Sequence, residues 1–330
     1  MIETIYIDSA AADHPRTRVI LQRFPGARKI ECEHYGEVFN PKAQNFRLQK
    51  HRPALILARK SKNLVLEAPI GYNIGGVNNF YFSHMLNCLY DCRYCFLQGM
   101  YRSANYVLFV NYEDFEQEII QARQRLAGEP VYFFSGYDCD SLALEPVTGF
   151  IQYFLDTFKK LPDAWLEIRT KSTQIRMLLE HAPMDNIITA FSFTPAPIAR
   201  ALEHRVPSVE KRLAAMAALQ EQGWPLGLRF DPLIYQEDYR QQYRDLFSQI
   251  FKILHSESLH SVSLGVFRLP EKYFARLRNL YPDEPLFAGP LERRERMVAY
   301  RHELEAEMID FCRQELLHYL PETKLFSCQF

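Results

Sequence analysis

The sequence predicts an α/β fold built on an open, partial (β/α)6 barrel. From about residue 76 onward, short apolar runs rich in β-branched and aromatic residues alternate with segments of helical periodicity. This alternation is typical of a parallel sheet covered by helices. It yields six strands, which are too few for a closed eight-stranded barrel. With 48% hydrophobic and 24% charged residues among 330, the chain is expected to be globular rather than disordered or fibrous.

The individual elements follow from the same periodicity. Strands are predicted near residues 76–83, 130–135, 164–170, 186–192, 225–230 and 259–267. Helices are predicted near residues 112–127, 146–160, 172–181, 208–222 and 238–254. Glycine and proline at the joins support these boundaries, namely Gly128, Gly223, Pro130, Pro183 and Pro225.

We expect three regions. Residues 1–75 form a small N-terminal α/β layer, with a short strand at residues 6–7 and a helix over 14–24. Residues 76–268 form the partial barrel. Residues 269–330 form a mainly helical C-terminal extension, which ends in an apolar, strand-like run at 324–328.

The stretch 42–62 is strongly basic in a chain whose net charge is −1. It contains seven lysines and arginines and no acidic residue, namely Lys42, Arg47, Lys50, Arg52, Arg59, Lys60 and Lys62. Such a stretch is either a solvated, mobile surface or a patch that binds the phosphates of a nucleic acid.

The sequence also predicts a compartment. The chain has no apolar run of roughly 18 residues, so no membrane contact is expected. The first residues lack the basic and apolar regions of a signal peptide, which predicts a cytoplasmic protein. Seven cysteines, an odd number, do not indicate a disulfide framework.

Three of these cysteines form the most informative motif. Cys88, Cys92 and Cys95 have the spacing C-x3-C-x2-C directly after a predicted strand. Three thiolates on one tight loop can bind three irons of a [4Fe–4S] cluster. The fourth iron is then free for an exogenous ligand, such as the amino and carboxylate groups of S-adenosylmethionine. Tyr94, between the last two cysteines, can shield the cluster from solvent.

Two other interpretations of the motif stay open. A structural zinc site needs four ligands, and His84 could supply the fourth, but the chain has no second closely spaced cysteine pair. The cysteines could also be buried and unliganded, since cysteine is among the most buried residue types.

Beyond the cysteines, the chain resembles the spore photoproduct lyase family of the radical S-adenosylmethionine superfamily. The cysteine spacing is characteristic of the superfamily, and the combined pattern points to this family within it. The similar segments cover much of the chain and lie at residues 6–7, 48–50, 88–98, 107–111, 142–148, 170–171 and 223–227.

The resemblance implies a fold and a reaction. The fold is a partial (β/α)6 barrel of the radical S-adenosylmethionine type, with the [4Fe–4S] cluster at the C-terminal edge of the strands. The reduced cluster cleaves S-adenosylmethionine, and the resulting 5′-deoxyadenosyl radical abstracts a hydrogen atom from a thymine lesion in DNA. The implied partners are DNA, through the stretch 42–62, and an electron donor such as flavodoxin or ferredoxin.

The resemblance also implies cofactor contacts just beyond the strands. Gly136, Asp140 and Ser141 follow the second strand and are expected to hold the methionyl amine, whereas an N-cap is the alternative role of the latter two. Lys171 resembles the partner of the cofactor carboxylate, and its alternative is a surface lysine. Ser192 matches a family serine near the cofactor.

One strand ends with two opposite charges at alternate positions. Arg229 and Asp231 are expected to point to the same face, which in a barrel is the interior, where a charge needs a partner. We interpret Arg229 as a contact to substrate or cofactor, or equally as one half of a structural salt bridge inside the barrel.

Two positions depart from the family's hydrogen-return pathway, which is thought to use a cysteine and a tyrosine. The family tyrosine directly follows the third cluster cysteine, where this chain has Phe96. The family cysteine aligns with Tyr137, and Cys139 lies two residues later. Cys139 is the first candidate hydrogen donor because a thiol S–H bond is weak, and Tyr137 is the second. The alternative for Cys139 is a small buried residue that lines the cofactor turn.

Three other functions are compatible with the sequence. The protein could be a radical enzyme of the same fold that acts on another base or on a small molecule. It could be a non-catalytic iron–sulfur protein, or a zinc-stabilised nucleic-acid binder. Cleavage of S-adenosylmethionine and metal analysis would separate these functions.

Overall fold

The computed structural model describes residues 2–39, 42, 44–69, 71–126 and 128–328. The strands are β1 (Thr4–Asp8), β2 (Arg28–Cys32), β3 (Leu55–Ala58), β4 (Val65–Glu67), β5 (Asn78–Phe82), β6 (Met85–Leu86), β7 (Asp91–Cys92), β8 (Tyr106–Phe109), β9 (Val131–Ser135), β10 (Ala164–Thr170), β11 (Ile187–Ser192), β12 (Glu203–His204), β13 (Leu226–Leu233), β14 (Leu259–Val266), β15 (Arg268–Pro270), β16 (Leu291–Arg294), β17 (Met297–Tyr300) and β18 (Leu325–Ser327). The helices are α1 (Pro15–Arg23), α2 (Tyr35–Val38), α3 (Phe46–His51), α4 (Leu97–Met100), α5 (Tyr112–Arg125), α6 (Glu145–Thr148), α7 (Phe150–Lys159), α8 (Arg176–Leu179), α9 (Ala196–Leu202), α10 (Val209–Glu221), α11 (Tyr239–Phe251), α12 (Glu271–Leu280) and α13 (His302–Leu317).

The larger sheet is an open half-barrel. Its eight strands run in the order β18-β14-β13-β11-β10-β9-β5-β4. All neighbours are parallel except β4 and β5 at one edge. The six predicted barrel strands are β5, β9, β10, β11, β13 and β14, so the prediction of a partial barrel is confirmed.

The smaller sheet has the order β2-β1-β3-β8-β6. Its strands come from both sides of residue 75, because β6 and β8 follow β5 in the chain. Conversely, β4, from the N-terminal region, pairs with β5 of the half-barrel. Hydrogen bonding therefore crosses the first predicted boundary, and the division into three regions stays a prediction.

Two predicted helices differ from the structure. The helix predicted over 146–160 is divided at Gly149, whose φ of 56° is left-handed, into α6 and α7. The helix predicted over 172–181 is reduced to the single turn α8. There the side chains of Thr170 and Ser172 accept hydrogen bonds from the backbone N–H groups two residues later, at 2.8 and 3.1 Å, and this pattern competes with a helix.

The C-terminal region is less helical than predicted. It contains the antiparallel sheet β15-β17-β16 before the long helix α13. The strand expected at 324–328 is β18, and it pairs with β14 at the edge of the half-barrel. Among the described residues, no helix is both long enough and apolar enough to span a membrane.

A buried ion pair closes the half-barrel interior below its C-terminal edge. The guanidinium of Arg229 donates two hydrogen bonds to the carboxylate of Glu167, at 3.1 and 2.8 Å. Its other three hydrogens go to the carbonyls of Leu228 and Ser261 and to the Ser261 hydroxyl. Burial raises the pKa of Glu167, but Arg229 and Arg169 outweigh it and hold that pKa at about 2. All five donors of Arg229 are occupied by the protein, which favours the structural salt bridge among its two interpretations.

Replacement of Glu167 by Gln should destabilise the protein, because it leaves Arg229 buried without its counter-charge. We expect a loss of about 3–5 kcal/mol in the free energy of unfolding, measured by denaturant titration. The pKa of Glu167 is lowered from 4.5 to about 2, so the wild type should lose this stabilisation as the pH falls from 4.5 toward 2. The control is Glu180→Gln at an exposed helical ion pair, where a loss below about 0.5 kcal/mol is expected. Equal losses of stability in the two variants would contradict the assignment of Glu167 and Arg229 as a buried structural ion pair.

Candidate active site

The three clustered cysteines lie on a loop, residues 87–96, which we call the cluster loop. Asn87 begins it with a left-handed φ of 69°, and its side-chain amide donates to two carbonyls, of Ser103 and Asn105, both at 2.7 Å. In its middle, β7 pairs with β12. At its end, the side-chain amide of Gln98 donates to the carbonyl of Cys92 at 2.5 Å. The backbone of the loop is therefore fixed from three sides.

The thiols of Cys88, Cys92 and Cys95 interact electrostatically with one another. Burial raises the pKa of all three, that of Cys88 to about 12. Among the described residues, no three His, Cys, Asp or Glu side chains converge closely enough to hold a single metal ion. A [4Fe–4S] cluster needs one thiolate at each of three irons rather than three around one atom, so this spaced set fits the cluster. Bound iron would also keep these buried thiols deprotonated.

His84 does not complete a zinc site in this arrangement. Its ring is buried and stacks on Phe150, with 4.2 Å between the ring centroids, and it meets Tyr112 edge-on. Burial lowers its pKa to about 3. Within the described residues, neither ring nitrogen has a hydrogen-bond partner.

The turn after β9, which contains Gly136 and Asp140, is hydrogen-bonded to the end of β10. Gly136 has a φ of +82°, and a Cβ there would lie 2.6 Å from the Ser141 hydroxyl. The Asp140 carboxylate accepts hydrogen bonds from the backbone N–H groups of Leu142, Ala143 and Lys171, at 3.0, 2.9 and 2.6 Å. It also accepts one from the Thr170 hydroxyl at 2.7 Å. Asp140 therefore joins the ends of β9 and β10 and caps the turn that follows it, which is the alternative role given for it, and its contact to the cofactor stays a prediction.

Lys171 is placed beside the cluster loop. Its ammonium lies 5.6 Å from the centroid of the Tyr94 ring and opposes the burial-raised pKa of Cys92 and Cys95. No carboxylate of the described residues forms an ion pair with it. This half-buried ammonium stabilises the Asp140 carboxylate electrostatically but forms no ion pair with any described residue, so it can bind the carboxylate of a ligand.

A buried chain of polar groups supports Tyr94 and Ser192. The Tyr94 hydroxyl donates to the Glu203 carboxylate, which pairs with Arg212 at 2.7 Å. Arg212 also donates to the carbonyl of Ser192 at 2.6 Å. Glu203 and Arg212 are not among the residues predicted from the sequence. One signal was available, since Arg212 lies on the apolar face of α10, where the other buried residues are Val209, Leu213, Ala215, Met216 and Leu219.

The two candidate hydrogen donors have different surroundings. Cys139 is 5% exposed, and its sulfur accepts a hydrogen bond from the backbone N–H of Met85. Tyr137 is only half-buried beyond the end of β9, and its ring lies 5.5 Å from that of Phe96 and 4.5 Å from that of Tyr81. Burial raises the pKa of Tyr137 to about 12, so its phenol keeps its hydrogen at neutral pH.

A further thiol lies at the edge of the half-barrel. Cys328 follows β18, and its backbone N–H donates to the carbonyl of Leu264 on β14 at 2.8 Å. Its pKa is raised by burial and then by Asp231, and lowered by Arg169. Cys328 is thus beside charged residues at the ends of β10 and β13. Cys328 is far from the cluster cysteines in the chain, so the sequence gives no signal of this position.

Comparison with known proteins gives consistent matches. A model of the family described as spore photoproduct lyase matches residues 2–300. The spore photoproduct lyase of Bacillus subtilis (strain 168) is 22% identical over 268 residues, which are 79% of this chain and 76% of that protein. The spore photoproduct lyase of Clostridium acetobutylicum is 20% identical over 255 residues, 76% of this chain and 74% of that protein.

Solved structures match the whole fold. A double mutant of spore photoproduct lyase with bound AdoMet and dinucleoside spore photoproduct has a TM-score of 0.86, at 17% identity, over 100% of this chain and 99% of that one. A spore photoproduct lyase complexed with dinucleoside spore photoproduct matches with the same score, identity and coverage. Because the family model covers most of the sequence and these structures share the half-barrel, the protein belongs to the spore photoproduct lyase family.

Proposed function

We propose that the protein is a radical S-adenosylmethionine lyase that repairs the spore photoproduct, a thymine lesion in DNA. One observation carries the proposal: three mutually interacting thiols and an unpaired ammonium, Lys171, meet at the C-terminal edge of a half-barrel. Family membership supports it, as do the bound ligands of its structural neighbours. When bound, the [4Fe–4S] cluster and S-adenosylmethionine would supply a 5′-deoxyadenosyl radical that abstracts hydrogen from the lesion.

The residues of this chain would have distinct roles. Cys88, Cys92 and Cys95 would hold the cluster, and Lys171 would neutralise the carboxylate of S-adenosylmethionine. Gly136 lets the backbone of its turn pack closely, because a Cβ there would lie 2.6 Å from the Ser141 hydroxyl and 3.0 Å from the Arg169 carbonyl. Asp140, Ser141, Tyr94 and Ser192 would line or support the cofactor pocket. The seven cysteines are unpaired, which agrees with a cytoplasmic, reducing location.

Replacement of Lys171 by Ala should weaken S-adenosylmethionine binding while leaving the iron content unchanged. The replacement removes a charge-assisted hydrogen bond worth about 1.5–3 kcal/mol. We therefore expect the dissociation constant of S-adenosylmethionine, measured by calorimetry, to rise roughly tenfold to hundredfold. Lys159→Ala on the exposed face of α7 is the control. An unaltered dissociation constant in Lys171→Ala would reassign Lys171 to the surface.

DNA contact through the stretch 42–62 stays a proposal. The cations of this stretch differ in burial and in their ion pairs. Lys50 pairs with Asp91 and is largely buried, whereas Arg59 pairs with Asp114. Arg52 and Lys62 are exposed, and the Arg52 pair with Glu3 is a weak surface pair. These two cations are the members of the stretch that we expect to meet phosphates, with an affinity that falls as salt is added.

The decisive experiment is anaerobic incubation of the reconstituted, reduced protein with spore-photoproduct DNA and with unirradiated DNA. Formation of 5′-deoxyadenosine and loss of the lesion are scored together. The proposal expects lesion loss that depends on S-adenosylmethionine. A radical enzyme acting on another base or a small molecule is the second candidate, favoured by Phe96 and Tyr137 at the two family positions. Cleavage of S-adenosylmethionine without lesion loss would select that candidate.

A further inference from the structure

A basic groove lies on the outer side of the cluster loop. It is a cavity of about 340 Å³ between the start of α3, the end of α4 and the end of α12. Three arginines line it, namely Arg47, Arg102 and Arg276, together with the apolar side chains of Phe46 and Leu280. Among the described residues, no Asp or Glu contributes to the lining.

The three arginines have no acidic partner within the described part of the chain. Other arginines around the cluster loop do form ion pairs, such as Arg93 with Asp91 at 3.0 Å. Arg276 donates instead to the carbonyls of Gly99 and Met100, at 2.8 and 3.3 Å, which fixes it against α4. Arg47 and Arg102 are exposed and form no ion pair with any residue that the structure describes. Three convergent cations without counter-charges make a site for an anionic surface.

The groove and the cysteines share one short segment of chain. Phe96, next to Cys95, contacts Tyr137 beyond the end of β9. Two residues later, Gln98 lines the groove, and its side-chain amide donates to the carbonyl of Cys92 at 2.5 Å. The side-chain oxygen of Gln98, Oε1, accepts a hydrogen bond from the Tyr281 hydroxyl. One side chain, Gln98, therefore connects the lining of the groove to the backbone of a cluster cysteine.

We propose that this groove, formed around Arg47, Arg102 and Arg276, docks an acidic one-electron carrier protein that reduces the cluster. The inference rests on the proposed function, because it assumes a cluster at the three cysteines. One electron passes from the carrier to the cluster, so the carrier is oxidised and the cluster reduced, and no covalent bond forms or breaks. Electron-transfer encounters use small interfaces with complementary charge, which matches a compact arginine site around an apolar centre.

The lining of the groove favours a protein carrier over DNA. The groove is formed by α3, α4 and α12, and its Tyr101 donates a hydrogen bond to the carboxylate of Asp138, in the turn after β9, at 3.0 Å. Its arginines surround a cavity with an apolar centre of Phe46 and Leu280. A DNA backbone would need cations spaced along a track, and it would not need the buried connection from Gln98 to Cys92.

The test compares two double variants of the reconstituted holoenzyme with equal changes in charge. The first is Arg47→Glu with Arg102→Glu, in the groove. The second is Lys272→Glu with Arg278→Glu, exposed on the same helix α12 but outside the groove lining. Reduced flavodoxin is the probe, and bleaching of the cluster absorbance is followed by stopped flow at low and high salt. Dithionite, a small reductant, serves as the reference for intact clusters.

We expect the groove variant to be reduced by flavodoxin at least about tenfold more slowly at low salt, with the difference shrinking at high salt. The control variant should stay close to the wild type, and dithionite should reduce all three proteins alike. Equal flavodoxin rates in the groove variant and the wild type would overturn the proposal. So would a parallel loss of DNA affinity in the groove variant, which would assign the groove to DNA. Cleavage of S-adenosylmethionine by the dithionite-reduced wild type tests the proposed function separately, because bleaching by flavodoxin does not require it.

Discussion

Replacement of Cys92 by Ala is expected to abolish both the cluster absorbance and S-adenosylmethionine cleavage. Cys92 is the most enclosed of the three cysteines, and its carbonyl and backbone are held by Gln98 and by β12. Cys88 and Cys95 would each already bind one iron, so neither can replace the thiolate of Cys92. Iron content should fall from about four atoms per chain toward zero, measured by iron and sulfide analysis after reconstitution. The same loss is expected for Cys88→Ala and Cys95→Ala.

Cys32→Ala and Cys312→Ala are the matched controls. Cys32 lies at the end of β2 in the smaller sheet, and Cys312 is buried in α13. Both variants should load iron as the wild type does. Full iron loading of the triple cluster-loop variant would show that the metal is bound elsewhere and would remove the basis of the proposed function.

The parts of the site that could be predicted from the sequence are those that lie close together in the chain. The cluster cysteines span eight residues, so their spacing alone indicated their chemistry. The strands of the half-barrel were also accessible, since each is a short apolar run between turn residues. The resemblance placed Gly136 and Lys171 among the cofactor contacts, and both follow the ends of barrel strands, where active-site groups of such barrels lie.

The supporting network could not be predicted, because its partners are distant in sequence. Tyr94 and Glu203 are separated by 109 positions, and Glu167 and Arg229 by 62. A charged residue on an apolar helix face, such as Arg212, predicts a buried partner but does not identify it. Cys328 became relevant only when β18 was found at the edge of the half-barrel.

The hairpin between β16 and β17 was missed for a local reason. Its two turn residues, Glu295 and Arg296, both have a positive φ, of 49° and 66°. Two-residue turns of this kind are usually signalled by Asn-Gly or Asp-Gly, which tolerate that conformation. A Glu-Arg pair carries no such signal, and the charged sequence around it favours a helix.

Replacement of Tyr137 by Phe is expected to separate radical formation from repair. We propose that Tyr137 is the hydrogen donor to the repaired thymine, because it is half-buried beyond the end of β9 and contacts Phe96. Cys139 is enclosed and engaged with the backbone of Met85, so the geometry favours Tyr137 over the cysteine preferred from the sequence. The variant should cleave S-adenosylmethionine at nearly the wild-type rate.

Without this phenol, the thymine radical should react by other routes. The yield of repaired thymine should fall by roughly tenfold, and misprocessed or strand-linked products should increase in its place. Because burial raises the pKa of Tyr137 to about 12, the wild type should show no loss of repair from phenol ionisation up to about pH 11. Product analysis by mass spectrometry after repair in deuterated solvent measures both the yield and the origin of the transferred hydrogen.

Two cysteine variants complete the assignment of the donor. Cys139→Ala should repair DNA normally, since its thiol is buried and interacts electrostatically with the cluster cysteine Cys88 instead of being open to a substrate. Cys328→Ala should also repair normally if Tyr137 is the donor, although its thiol lies near Asp231 and Arg169 at the same edge of the half-barrel. Normal repair by Tyr137→Phe together with misprocessed products from Cys328→Ala would instead identify the hydrogen source as this thiol. That result would give a cysteine the role that the resemblance implies, but after β18 rather than after β9.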